Sequence, residues 1–259
     1  MSEFIHGDCL KYMRKMPDNA YDLAIVDPPY GSGFTIGGGC KGWFTKYHQP
    51  LRATLREVQT PARTMEYHGG VSREIPTRKR VARTGGATKK WRSNAVYGKK
   101  IIAWDIAPGK EYFDELFRVS RNQIIWGGNY FDLPPCRCFV IFRKTNIPIK
   151  GFTMSPVEYA WTSFNRNAVM IEAFSNGTAK EPRFHPTQKP VVLYEELLMQ
   201  FAKKGDKILD THAGSGSSLI ACYNLGYEYT GFEIDDIYYE KACKRIEEVQ
   251  AQIRMEIDI

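Results

Sequence analysis

Hydrophobic and polar positions follow two periods along this chain, and one long tract follows neither. Leu23–Val26 is continuously apolar, and Pro28, which lacks a backbone N–H, stops the run, so Tyr21–Asp27 reads as a buried strand. Tyr112–Val119 has the spacing of a short amphipathic helix. Ile124–Trp126, closed by Gly127 and Gly128, reads as a strand, as do Cys138–Phe142, Val157–Phe164 and Ala168–Phe174. Val191–Lys203 returns to helical spacing from a start at Pro190, and Asp206–Asp210 is a further short buried run. Gly214–Gly216 opens another helix that ends near Gly226, Tyr227–Glu233 reads as a strand, and a charged helix runs from Asp235 to about Ile253.

Strand, helix, strand, helix over the last third predicts an α/β fold on a doubly wound, largely parallel sheet. Between Gly31 and Lys100 neither period holds. Gly37–Gly39, Gly69–Gly70 and Gly85–Gly86 interrupt the tract, which reads as one long insertion. No internal repeat is visible.

The 259 residues suffice for one large α/β domain or one domain with an elaboration. No run of about 18 apolar residues occurs, and "MSEFIHGDCL" lacks the basic and apolar blocks of a signal peptide, so a soluble, cytoplasmic chain without membrane contact is expected. The six cysteines are scattered, and Cys136 and Cys138 do not have the usual zinc spacing, so reduced structural thiols and no metal are expected. Charge changes the picture more. Residues 41–100 hold 15 Lys and Arg against three acids, a net +12, so the remainder carries −5 to reach the total of +7. A basic insertion on a mildly acidic body suits a polyanionic partner such as nucleic acid, and composition alone suits a solvated loop equally.

The stretch "ILDTHAGSGSSLIA" places Gly214 and Gly216 where an apolar strand turns into a helix. Backbone without side chains there can approach a ligand and offer N–H groups at the helix N-terminus. The next strand ends in Glu233, where an acid would hold ribose hydroxyls. The turn has neither the spacing of dinucleotide sites nor the Lys-Ser/Thr end of a P-loop, so of NAD, ATP and S-adenosyl-L-methionine the last fits best.

"DPPY" at Asp27–Tyr30, "HPTQKP" at His185–Pro190 and "DTHAGSGS" at Asp210–Ser217, in that order, resemble the β-group amino-DNA methyltransferases, and "IIWGGNYF" and "EYAWTSF" look most like the phage and prophage adenine enzymes among them. The resemblance covers roughly residues 4–34 and 101–250. It implies a Rossmann-like methyltransferase sheet with circularly permuted motif order, formed by residues 1–34 and 101–259, and leaves most of 35–100 unexplained, a basic insertion expected to be a DNA-contacting or target-recognition region. It also implies S-adenosyl-L-methionine as cofactor and double-stranded DNA as substrate. Dimers are common in the group, so a homodimer is compatible with it, as is a restriction endonuclease partner.

Carried over position by position, the resemblance assigns Asp8 and Cys9 to the cofactor adenine, and Asp210, His212, Ala213, Gly214, Gly216 and Ser217 to its methionine part and sugar. Glu233 and Ile234 would lie at the ribose, and His185, Thr187, Gln188 and Lys189 near its carboxylate. His212 stands where many members have phenylalanine. Each of these has a plainer reading: Asp8 as the cap of a helix beginning near Leu10, "HP" as a helix-opening turn, and His212 as a packed ring.

An exocyclic base amine is a poor nucleophile because its lone pair is delocalised. Asp27 supplies an acceptor for its hydrogens, and the carbonyl of Pro28, oriented by the fixed φ of Pro28 and Pro29, supplies a second. Tyr30 offers a ring on which a flipped base can stack, worth about 1–3 kcal/mol. The expected activity is transfer of a methyl group to the adenine amine in DNA. Aspartate at 27 favours adenine, since cytosine-modifying relatives usually carry serine there. Cytosine-N4 methylation, RNA adenine methylation and a catalytically silent nucleic-acid-binding relative are the alternatives. Within the insertion, Arg78, Lys79, Arg80, Arg83, Lys89, Lys90 and Arg92 are the expected nucleic-acid contacts.

Overall fold

The computed structural model describes residues 2–31, 105–150, 155–175 and 183–257. Met1–Gly31 and Ile106–Ile259 form one unit. Residues 32–104, nearly all of the insertion, lie outside the described residues.

In chain order the unit comprises β1 (Glu3–His6), α1 (Cys9–Met13), β2 (Tyr21–Val26), α2 (Lys110–Val119), β3 (Ser120–Trp126), a 3-10 turn at Gly128–Tyr130, β4 (Phe139–Lys144), β5 (Val157–Thr162), β6 (Val169–Ala173), α3 (Val191–Phe201), β7 (Lys207–Asp210), α4 (Ser217–Leu225), β8 (Glu228–Glu233) and α5 (Asp236–Ile257). The eight strands form one sheet in the order β1-β8-β7-β2-β3-β5-β4-β6. β5 is antiparallel to both of its neighbours, β3 and β4, and the other five pairings are parallel. The predicted strands and helices are all present with shifts at their ends. The N-terminal strand β1, four residues long, has no counterpart in the periodicity.

Why β2 reads as one unbroken apolar run is visible in its packing. Leu23 and Ile25 join the core on one face of the sheet, with α3, α4 and part of α5, while Ala24 and Val26 join the core on the other, with α1 and α2. Alternate side chains point to opposite faces, and both faces are covered. Ile124 and Ile125 of β3, and Ile208 and Leu209 of β7, divide in the same way.

This topology fixes the site. β2 and β7 are neighbours, with Leu23 opposite Ile208 and Ala24 opposite Leu209. From β7 the chain passes through α4 to β8 on one side, and from β2 through α2 to β3 on the other. The turns after β2 and β7 therefore diverge and leave a crevice beyond the carboxyl ends of the two strands. β1 lies beside β8, so the first and last strands of the chain are neighbours at one edge of the sheet. A circularly permuted motif order requires this: the Asp27 strand comes early and the glycine turn late, yet they are adjacent.

Candidate active site

Asp27 follows the last residue of β2, and continuing the alternation of Leu23 and Ile25 puts its side chain toward the α3 face of the sheet. There Lys189, the residue before the Pro190 cap of α3, reaches its carboxylate: Lys189 Nζ lies 2.5 Å from Asp27 Oδ2. The hydroxyl of Tyr30 donates to Asp27 Oδ1 at 2.6 Å. Burial, with the Asp27 carboxylate second, pushes the Tyr30 hydroxyl well above its ordinary value and keeps it a donor. The Tyr30 ring is stacked on Tyr130, with centroids 4.8 Å apart, and meets Phe131 edge-on. Pro28 is buried and Pro29 half-buried.

Two features add to the expectations. Lys189, expected near the cofactor carboxylate, is directed to Asp27, because the turn before α3 lies over the same face of the sheet as Asp27. Tyr30 contributes a hydroxyl as well as a ring, because the two-proline turn brings it back within reach of Asp27. Lys189 also lies 3.2 Å from Glu158 of β5, whose other oxygen is 2.5 Å from Lys144 of β4. Burial raises the Glu158 carboxyl, but Lys189 and Lys144 outweigh it and hold it at about 2. Burial alone would lower Lys189, and Asp27 and Glu158 reverse that, so its ammonium stays charged.

Beyond the carboxyl ends of β1, β7 and β8 a cavity of about 110 Å³ is lined by Gly7, Asp8, Cys9, Thr211, His212, Phe232, Glu233 and Ile234. Asp8 caps α1, its Oδ1 accepting from the Leu10 N–H at 3.0 Å, and also lines this cavity, so the cap reading and the site reading hold together. Burial raises the Cys9 thiol to about 12, which makes it a packing group rather than a nucleophile. Glu233 accepts from the N–H groups of Gly214, Ile234 and Asp235 at 3.0, 2.9 and 2.8 Å, which ties the glycine turn to the end of β8. A carboxylate has about four lone-pair positions, so acceptor capacity remains for hydroxyls.

The glycine turn divides its duties. Gly214, with φ +54°, faces the His185 ring, 3.1 Å from where a Cβ would stand. Gly216, with φ +73°, caps α4, and its missing Cβ makes room for Ile246 of α5. Ser217 accepts a hydrogen bond from Arg245 at 2.9 Å. Gly216 and Ser217, expected around the cofactor, also make helix-packing contacts, because the chain turns into α4 at Gly216 and brings them against α5. Ala213 is buried, its N–H bonded to Phe232 O at 2.8 Å.

Asp210 is buried beneath the turn, accepting from the Ser218 hydroxyl and from the His212 N–H at 2.9 Å, and burial raises it to about 7. His212 packs edge-on against Tyr112, which also bonds Thr211 at 2.6 Å, and burial lowers the His212 ring to about 4. In the motif before α3, His185 packs against Tyr238, Thr187 Oγ1 lies 3.2 Å from His185 Nδ1, and Gln188 accepts from the Phe184 N–H at 3.2 Å. Burial, then Arg183 and Lys189, lower His185 to about 4. The seven cations from Arg78 to Arg92 lie outside the described residues.

Glu158, Lys144, Tyr112 and Tyr130 are functional candidates that motif reading did not single out. A signal existed for two of them: Lys144 and Glu158 are charges at inward positions of strands, on the same faces as buried Phe142 and Ala160.

Residues 156–244 match the model of the N6/N4 methyltransferase family, described as DNA methylase. Over 255 residues the chain is 25% identical to the type II methyltransferase M2.DpnII of Streptococcus pneumoniae, a likeness covering 94% of this chain and 88% of that one. It is 23% identical over 256 residues to the DNA adenine methyltransferase YhdJ of Escherichia coli (strain K12), covering 94% and 82%. The solved M1.HpyAVI–SAM complex is 17% identical with a TM-score of 0.49, covering 95% of this chain and 99% of that one.

Proposed function

We propose that this chain, a DNA methyltransferase of the N6/N4 family, transfers the methyl group of S-adenosyl-L-methionine to the exocyclic amine of adenine in double-stranded DNA. The observation that carries this is the adjacency of two sites at the divergence of β2 and β7. Asp27 ends one strand, and the glycine turn with its acid-lined cavity ends the other.

The lining of the cavity suits an adenosine in its chemistry. Phe232 and Ile234 offer apolar surface, while Asp8 and Glu233 offer carboxylates to the ribose hydroxyls and to the exocyclic amine of the base. Gly214 leaves the turn open toward His185, and the His185 and His212 rings stay neutral near pH 7, so neither adds repulsion against a sulfonium. The bound cofactor supplies an electrophilic methyl group. At the other end Asp27 accepts the hydrogens of the amine, drawing its nitrogen toward tetrahedral geometry, and Tyr30 holds the carboxylate in orientation. Positioning and charge complementarity are the contribution of the protein. The base must leave the duplex to reach Asp27, and Tyr30 with Tyr130 supplies aromatic surface for it.

Adenine is favoured by the aspartate at 27 and by the similarity to YhdJ, which is named for it. Residues 35–100 supply cations for phosphate contact in this reading. The test is incubation with labelled S-adenosyl-L-methionine and unmethylated DNA or RNA, followed by mass spectrometry of the nucleosides. N6-methyl-2′-deoxyadenosine from DNA, with no label in RNA, supports the proposal. N4-methylcytosine, label in RNA alone, or no label refutes it.

A further inference from the structure

We propose that Lys189 is a positioning residue for the Asp27 carboxylate, shared with Glu158 so that it can step toward Glu158 when the target amine engages Asp27. The inference rests on the proposed methyl transfer for its purpose, and on geometry for its existence.

Both oxygens of Asp27 are engaged, Oδ1 by the Tyr30 hydroxyl and Oδ2 by Lys189. The side chains of Lys189 and Asp27 are only 5% and 12% exposed. An arriving amine must therefore compete with a buried ammonium for the acceptor it needs. A buried cation held by one carboxylate has nowhere to go, since separating the pair leaves two uncompensated charges.

Here the cation has a second seat. Glu158 Oε2 is 3.2 Å from Lys189 Nζ, against 2.5 Å for Asp27, and the Trp126 ring lies 4.9 Å from the ammonium. An ammonium carries three N–H donors and can bridge two carboxylates, and an aromatic face tolerates it in either position. Lys144, 2.5 Å from the other oxygen of Glu158, completes a set of two acids and two lysines with no net charge. Lys144 and Glu158 follow the alternation of Phe142 and Ala160 onto the α3 face, so three strands and the turn before α3 converge to build the set.

Other groups also act on Asp27: Tyr30 from its own turn, Asp210 from β7, Tyr112 from α2 and Tyr194 from α3. None of these is a cation. Lys189 is the ammonium in contact with Asp27 among the described residues, and Glu158 moderates it.

The experiment reads Asp27 directly, through the pH titration of its 13Cγ resonance in the free labelled chain, alongside kcat and KM on unmethylated DNA and the dissociation constant of S-adenosyl-L-methionine. Lys189→Met removes the cation and should raise the Asp27 midpoint. Glu158→Gln leaves Lys189 to Asp27 alone and should lower it. Both variants should lose about 100-fold in kcat, the scale of a mispositioned reacting group, with cofactor affinity unchanged. Opposite shifts show that the three charges act on one another, and the fall in kcat at unchanged cofactor affinity is what a merely structural ion pair would not produce. If Lys189→Met does not fold, Lys189→Arg keeps the charge in a planar fork and should leave the midpoint where wild type has it while kcat falls.

An Asp27 midpoint that moves in neither variant overturns the inference, as does a moved midpoint with wild-type kcat. Because the titration needs no methyl transfer, a chain whose midpoints shift in opposite directions but which methylates no DNA refutes the proposed function and leaves the shared ion pair standing.

Discussion

The hydroxyl of Tyr30 donates to Asp27 Oδ1 at 2.6 Å while its ring lies 4.8 Å from that of Tyr130. One side chain thus serves two surfaces, and substitution separates them. Tyr30→Phe keeps the ring and loses the bond, and is expected to reduce kcat about tenfold, the size of one hydrogen bond to a charged group. Tyr30→Ala removes both and should lose considerably more, with a raised KM for DNA. Equal kcat in wild type and Tyr30→Phe would show the hydroxyl to be idle, as the sequence alone suggested.

Asp27→Asn and Asp27→Ala should each reduce methyl transfer by at least about 100-fold. Cofactor affinity, measured by calorimetry, should stay close to wild type, since Asp27 does not line the cavity bounded by Asp8, Glu233 and Ile234. The alanine variant leaves Lys189 with Glu158, so the fold has a residual partner for the buried cation. Retention of substantial activity by either variant sinks the catalytic assignment.

The two glycines of the turn provide a comparison within one loop. A side chain at φ +54° or +73° costs about 1–2 kcal/mol, so Gly214→Ala and Gly216→Ala should lower stability similarly in denaturant unfolding. Only Gly214→Ala should also weaken S-adenosyl-L-methionine binding, because Gly216 faces Ile246 of α5 instead of His185. A larger loss of affinity in Gly216→Ala would reverse the division of roles.

His185 and His212 should make the fold acid-sensitive. Both are lowered from 6.5 to about 4, His185 by burial and then by Arg183 and Lys189, His212 by burial. Between pH 6.5 and 4 the unfolded chain therefore binds protons at these two positions that the native chain does not, a contribution to stability that is lost as pH falls, while Asp210 and Glu233, both raised by burial, work in the opposite direction. Glu158 acts in the same direction as the histidines lower down, between 4.5 and about 2. As pH falls from 6.5 to 4, the melting temperature of His185→Gln/His212→Gln should shift in the variant's favour relative to wild type. An identical pH dependence would show that the rings are not held neutral by the fold.

Much of this was legible in the chain, for reasons that differ by element. β2, β3 and β7 are buried on both faces, so their apolar runs are unbroken and bounded by Asp-Pro, Gly-Gly or Gly-containing turns. β1 was not legible. Four residues, half of them exposed at the sheet edge, carry too little pattern. The antiparallel strand β5 looks like any other strand in sequence, because direction is set by the connections and not by composition. In the site, Asp27, Glu233 and Gly214 follow from strand ends and turn geometry, whereas the partner of Lys189 does not. A lysine in a polar motif gives no sign of which carboxylate it will meet, and Glu158 comes near it only through the pairing of β5 with β3 and β4.

The last prediction concerns the basic tract, where charge is the argument. Residues 41–100 carry a net +12 on a chain whose remainder is acidic, and their cations are interleaved with Trp43, Phe44, Tyr47, Tyr67, Trp91 and Tyr97. Cations that neutralise phosphates release counterions, so removing each phosphate-bound cation should lower the salt slope of duplex binding by about 0.9. Replacing Arg78, Lys79, Arg80 and Arg83 together with alanine should therefore weaken DNA binding and flatten its dependence on salt. Cofactor binding should survive, because the cavity is built from β1, β7 and β8 and the turns that follow them. Arginines that read guanine edges in the major groove would add a loss of sequence preference, visible as a changed pattern of methylated sites in sequenced DNA. If affinity and slope both match wild type, these four residues are a solvated stretch, and the DNA-binding role passes to the cations around Arg143 to Thr153.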